Sequence, residues 1–163
     1  MSDEWSSRVL ITDRAADLLG RLVARHGPVM FHQSGGCCDG SAPMCYPDGD
    51  FIVGDRDVLL GVITTARGEP GAPVWISGSQ YALWKHTQLI LDAVPGRGSG
   101  FSLEAPEGER FLTRSRVISP EVEESLPPII TGGQVEEGAE LPEPIGPVEI
   151  SGELGEVCRI VRA

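Results

Sequence analysis

Between residues 28 and 118 the chain is punctuated so often that long helices are excluded. The apolar runs "VMFHQ", "DVLLGVI", "PVWIS" and "HTQLILDAV" are each closed by glycine, proline or aspartate within a few positions. Runs this short, rich in β-branched residues and bounded by turn formers, read as strands. "FIV" at 51–53 and "FSLEA" at 101–105 add two further strand expectations, and "GSQYALW" has room for one short helical turn. One stretch alone carries a sustained helical period. Ala15, Leu18, Leu19, Leu22 and Val23 fall on one face, opposite Arg14, Asp17, Arg21 and Arg25. Thr12 is placed to cap that helix, and "HGP" at 26–28 to end it, since glycine tolerates the left-handed cap and proline cannot continue the ladder. The expectation is an α+β, mainly β fold with an N-terminal amphipathic helix.

A chain of 163 residues with 40% hydrophobic content supports one ordinary core. The net charge of −11 is unevenly spread. Residues 1–118 hold 11 Lys and Arg against 14 Asp and Glu, whereas residues 119–163 hold 2 Arg against 10 Glu. Composition therefore divides the chain into a core domain, 1–118, and an acidic C-terminal extension, 119–163. The extension is rich in proline and is expected to be extended or disordered to about residue 147, with "PVEISGELGEVCRIVRA" forming a hairpin docked on the core. So acidic a surface is unsuited to phosphate neutralisation, which excludes a general nucleic-acid binder. No apolar run approaches the ~20 residues that span a bilayer, so no membrane partner is expected. The opening "MSDEWSSRVL" lacks the pattern of a secretory signal, and the expected location is the cytoplasm.

Thiols stay reduced in that compartment, so clustered cysteines point to metal or redox chemistry before disulfides. "FHQSGGCCDGSAPMCYP", residues 31–47, places three of the four cysteines beside a histidine. Cys37, Cys38, Cys45 and His32 suffice in number for a tetrahedral zinc or iron site. On a strand, His32 points to the face opposite Phe31. Cys37 and Cys38, adjacent in sequence, share an ion only if the glycines bend the chain. His86 in "WKHTQ" is a further candidate ligand. Two alternatives stand beside a metal site. In one, Cys37 or Cys38 is the nucleophile of a thiol- or metal-dependent enzyme acting on an aldehyde or a thiol adduct, with His86 as base and Asp92 orienting it. In the other, the cysteines only pack and the acidic tail docks on another subunit. Trp75, Tyr81 and Trp84 are expected in the core, and "GRGSG" at 96–100 is expected to be a turn.

The order of pieces, from "ITDRAADLLGRLVARHG" through "GGCCDG" to "VWISGSQYALW" and "GSGF", resembles the HesB-like A-type iron-sulfur carriers over roughly residues 10–104. That resemblance implies a HesB-like β-sandwich or pseudo-barrel, and self-association as a homodimer. Those carriers hold an iron-sulfur cluster with the loop cysteine and a later "CGC" pair, whereas "FSLEAPEGERFLTRSRV" here has no cysteine. The phrases "FHQSGGCCDGSAPMCYP" and "VWISGSQYALWKHTQLILDAVPGRGSGFSLEAPEG" more closely resemble a bacterial family, domain-of-unknown-function family 779. Its genes often lie beside aldehyde dehydrogenase genes, which implies an accessory role toward an aldehyde dehydrogenase.

Overall fold

The computed structural model describes residues 3–33, 43–50, 52–65, 71–96 and 102–150, with the backbone of 155–156. In chain order the first half comprises β1 (Val9–Ile11), α1 (Asp13–His26), β2 (Val29–Gln33), β3 (Met44–Pro47), β4 (Val58–Ile63), β5 (Ala72–Ile76) and α2 (Gly78–Trp84). The second half adds β6 (Thr87–Pro95), β7 (Glu109–Val117), α3 (Pro120–Ser125), β8 (Ile130–Thr131), α4 (Gly132–Glu136) and β9 (Gly155–Glu156). Strand outweighs helix, as expected. One sheet runs β1-β6-β7-β9 and the other β3-β2-β5-β4-β8. Among the described residues neither sheet closes on itself, so the pseudo-barrel alternative gives way to two separate sheets that share one core.

That core forms because alternate residues of both sheets are apolar on the facing side. Ile11, Leu89, Leu91 and Phe111 come from the first sheet, and Phe31, Val74 and Ile76 from the second. Phe31 and Phe111 meet edge to face, ring centres 4.9 Å apart and planes at 89°. This geometry suits the aromatic quadrupole and adds about 0.5–1.5 kcal/mol to the burial itself. Helix α1 buries Ala15, Ala16, Leu18, Leu19 and Leu22 in the same core. Its opposite face carries Arg14, Arg21 and Arg25, which pair with Glu107 and Glu109. These exposed pairs contribute little to stability.

The helix start is held more firmly than its cap alone requires. The Thr12 hydroxyl accepts from the Ala15 N–H at 3.2 Å and donates to Asp92 Oδ1 at 2.8 Å. Asp92 also accepts from Arg114 Nε at 2.6 Å and from the Ala93 N–H at 2.8 Å. At the other end, Gly27 takes φ +81° and its N–H closes on the Val23 carbonyl, so the helix stops where "HGP" predicts.

Three expectations are corrected. Ile52 and Val53 form no strand, because their neighbourhood is committed to α4: the Gly132 N–H binds the Asp57 carbonyl and the Gly133 N–H the Asp55 carbonyl. Residues 102–104 turn into a single 3-10 turn, Ala105–Glu107, and the strand starts only at Glu109. The acidic extension is not simply extended: it forms α3, α4 and β8, and β8 pairs antiparallel with β4. Of the stretch expected to form the terminal hairpin, residues 147–150 form no strand, and Gly155 and Glu156 pair with β7.

Burial alone would raise the Asp92 carboxyl, but the bonds from Arg114, Thr12 and Ala93 outweigh it and hold the group below the ordinary aspartate range. A carboxylate depressed in the folded state stabilises above its unfolded pKa and loses that contribution as pH falls through the folded value. Asp92→Asn is therefore expected to cost about 1–2 kcal/mol at neutral pH. In urea unfolding, the gap from wild type should narrow steadily as the pH is taken down through the carboxylate range.

Candidate functional site

Strands β2 and β3 pair antiparallel with Phe31 opposite Cys45 and His32 opposite Met44. The connection between them carries Cys37 and Cys38, which lie outside the described residues, as does Cys158. Because side chains alternate along a strand, the register sorts the remaining candidates by face. Cys45 shares the inner face with Phe31 and is fully buried in the common core. His32 lies on the outer face, beside its cross-strand neighbour Trp75, which packs with Met30 and Leu59. His32 thus faces away from Phe31, and equally away from Cys45.

Beside Cys45 lies a residue that sequence patterning overlooked. The Cys45 N–H donates to Ser102 Oγ at 2.8 Å, and the Leu103 N–H donates to the Cys45 carbonyl at 3.0 Å. This laces residues 102–103 along β3 and turns Glu104 inward, only 2% exposed. Glu104 Oε2 accepts from the Phe111 N–H at 3.3 Å, whereas Oε1 is buried without any hydrogen-bond partner. Burial raises the Glu104 carboxyl, with Ser102 and backbone N–H groups offsetting only part of the effect. Burial, and then the charge of Glu104, push the Cys45 thiol far above its ordinary range. Two acids therefore interact in the core with no basic partner among the described residues, an arrangement that favours protons or a metal cation.

The histidines are engaged elsewhere. His32 Nε2 lies 3.0 Å from Asp57 Oδ2, which also accepts from the Gly54 N–H at 2.9 Å. His86 follows α2 with its side chain 65% exposed, and its Nδ1 lies 3.0 Å from Glu123 Oε2. Asp92, expected to orient His86 in a thiol enzyme, instead has its oxygens taken by Thr12, Arg114 and Ala93. Among the described residues no three His, Cys, Asp or Glu side chains converge as a metal-binding group. Trp75 and Trp84 are buried, as expected of core aromatics.

A thiol so buried and so reluctant to ionise is a poor nucleophile. In chelator-treated protein, Cys45 should escape iodoacetamide at neutral pH and become modified only on unfolding, read by peptide mass mapping.

The geometry can be set beside known proteins. A family model for a domain of unknown function (DUF779) matches residues 18–117, a span that holds most of α1, the cysteine segment, Cys45 and Glu104. No curated protein and no solved structure matches the chain. No helix among the described residues is long and apolar enough to cross a membrane. The match covers more than half of the chain, which therefore belongs to the DUF779 family.

Proposed function

We propose that this protein binds a zinc or iron ion on the inner face of the second sheet and serves as an accessory to another enzyme. Cys45 and Glu104 are the described ligands, and Cys37 and Cys38, from the connection that Cys45 closes, complete the set. The observation that carries the proposal is Glu104 Oε1, buried without a partner next to a buried thiol. An ionised carboxylate in a core needs a compensating charge, and the titratable group whose ionisation it opposes here is a second acid, Cys45. A divalent cation would let both groups ionise and would exploit the mixed sulfur and oxygen donors that zinc and iron accept. His32, on the opposite face with Nε2 on Asp57, and His86, exposed on Glu123, stay outside this ligand set.

The HesB-like likeness and an aldehyde dehydrogenase as the enzyme served belong to the same proposal. Support for the first is the order of elements, an amphipathic helix followed by a strand that leads into the glycine-cysteine segment. Support for the second is the family's gene neighbourhood. An iron-sulfur cluster is a less economical occupant than a single ion, because the only later cysteine is Cys158.

Anaerobically purified protein should contain close to one zinc or iron per chain by elemental analysis. Glu104→Gln is expected to weaken the competition-measured affinity at least about tenfold, and Cys45→Ser to do the same, with both variants folded by circular dichroism. Wild-type protein that takes up no metal after reconstitution, or two variants with undiminished affinity, would overturn the proposal.

A further inference from the structure

The acidic extension touches β4 twice and leaves a gap between the two attachments. Leu59 pairs with Ile130 of β8. Further along, the Ile145 N–H donates to the Val62 carbonyl and the Thr64 N–H to the Ile145 carbonyl, each at 2.9 Å. Between them Leu60 and Gly61 form the floor of a groove of about 870 Å³, walled by Pro128, Pro142 and other apolar residues of the extension. Gly61 is needed for that floor: a Cβ there would come within 2.7 Å of Ser7 Oγ and 3.0 Å of a Val9 methyl.

The segment that borders this floor is fixed in place. Arg116 stacks on Trp5 at 3.8 Å and pairs with Glu4 at 3.2 Å, and Gln88 Nε2 donates to the Glu4 and Ser7 carbonyls. These bonds hold residues 4–7 against the first sheet and set Arg8 in the groove wall. The Arg8 guanidinium lies 5.9 Å from the Tyr81 ring centre. Its Nε and Nη1 are buried, and neither has a hydrogen-bond partner. Glu140 and Glu143 also line the groove, yet both are exposed and neither forms an ion pair with Arg8. A guanidinium is always charged, and its planar fork suits a carboxylate. On a side chain that is otherwise partly exposed, these two nitrogens have no partner among the described residues and lack the compensation that buried charges ordinarily find.

We infer that the groove along β4 binds a small amphiphilic monocarboxylate, its head group paired with Arg8 and its apolar body against Leu60 and the prolines of the extension. Among the described residues that line it, Arg8 is the one cation in a largely apolar trough, which fits a single negative charge and an uncharged tail. The exposed glutamates disfavour a multiply charged anion. This site is independent of the metal proposal, because Arg8 and the extension lie outside the matched residues 18–117 that hold Cys45 and Glu104.

Octanoate is the probe, titrated into the full-length protein and followed by amide chemical shifts and calorimetry, with octanol as the uncharged control. Saturable shifts are expected at Ser7, Arg8 and Gly61, together with at least a tenfold preference for octanoate over octanol. Arg8→Met, which keeps the apolar stem against Tyr81, should weaken octanoate binding at least tenfold. The inference is overturned if octanoate produces no saturable shifts at those amides in the wild-type protein. Shifts confined to the opposite side of the second sheet, around Trp75, would overturn it equally, as would a folded Arg8→Met variant that binds within twofold of wild type.

Discussion

Everything distinctive about the candidate site follows from one backbone pairing, Phe31 opposite Cys45 across β2 and β3. Period-two alternation turns that register into a division of labour. Phe31 is driven inward, where it meets Phe111 of the other sheet, and Cys45 must follow it to the same face. His32 must go to the other face, where Asp57 receives it. A slip of one residue would exchange these roles and take Phe31 away from Phe111, so core packing enforces the partition of the soft ligands. The same pairing anchors both ends of the segment that contains Cys37 and Cys38.

A partly buried carboxylate, Asp92, and a buried one, Glu104, show what ordinary structural compensation looks like and what its absence looks like. Asp92 is met by Arg114, Thr12 and the Ala93 N–H, and its carboxyl is held down. Glu104 has no basic neighbour among the described residues, one of its oxygens lacks a partner there, and its carboxyl is pushed up. Evidently the fold can supply an arginine to a buried acid when stability alone is at stake. A buried acid left without a counter-charge beside a thiol is the kind of destabilising arrangement that function maintains.

Local signals were legible where one interaction decides them. Thr12 caps α1 and Gly27 ends it because both depend on residue type at a single position. The apolar runs at β2, β4, β5 and β6 were legible because burial on a sheet imposes its own pattern. Glu104 was missed for a related reason. "FSLEA" reads as the start of a strand, whereas bonds from Cys45 and Leu103 bend the segment and turn Glu104 inward. Those bonds span more than fifty positions, and a window of neighbouring residues carries no trace of them. The acidic extension misled for a similar reason. Its composition favours an extended chain, yet capping by Thr131 and pairing with β4 order β8 and α4. Arg8 gives no sequence signal, because its importance lies in the partners it lacks.

The central claim is that Cys45 and Glu104 face a common cation. X-ray absorption at the metal edge of the zinc-loaded protein tests it most directly. The account predicts a mixed shell, with sulfur at about 2.3 Å and at least one oxygen at about 2.0–2.2 Å. That oxygen contribution should be altered in Glu104→Gln while the sulfur shell persists. A shell made only of sulfur, or one of nitrogen and oxygen without sulfur, would contradict the account. So would a spectrum that Glu104→Gln leaves unchanged.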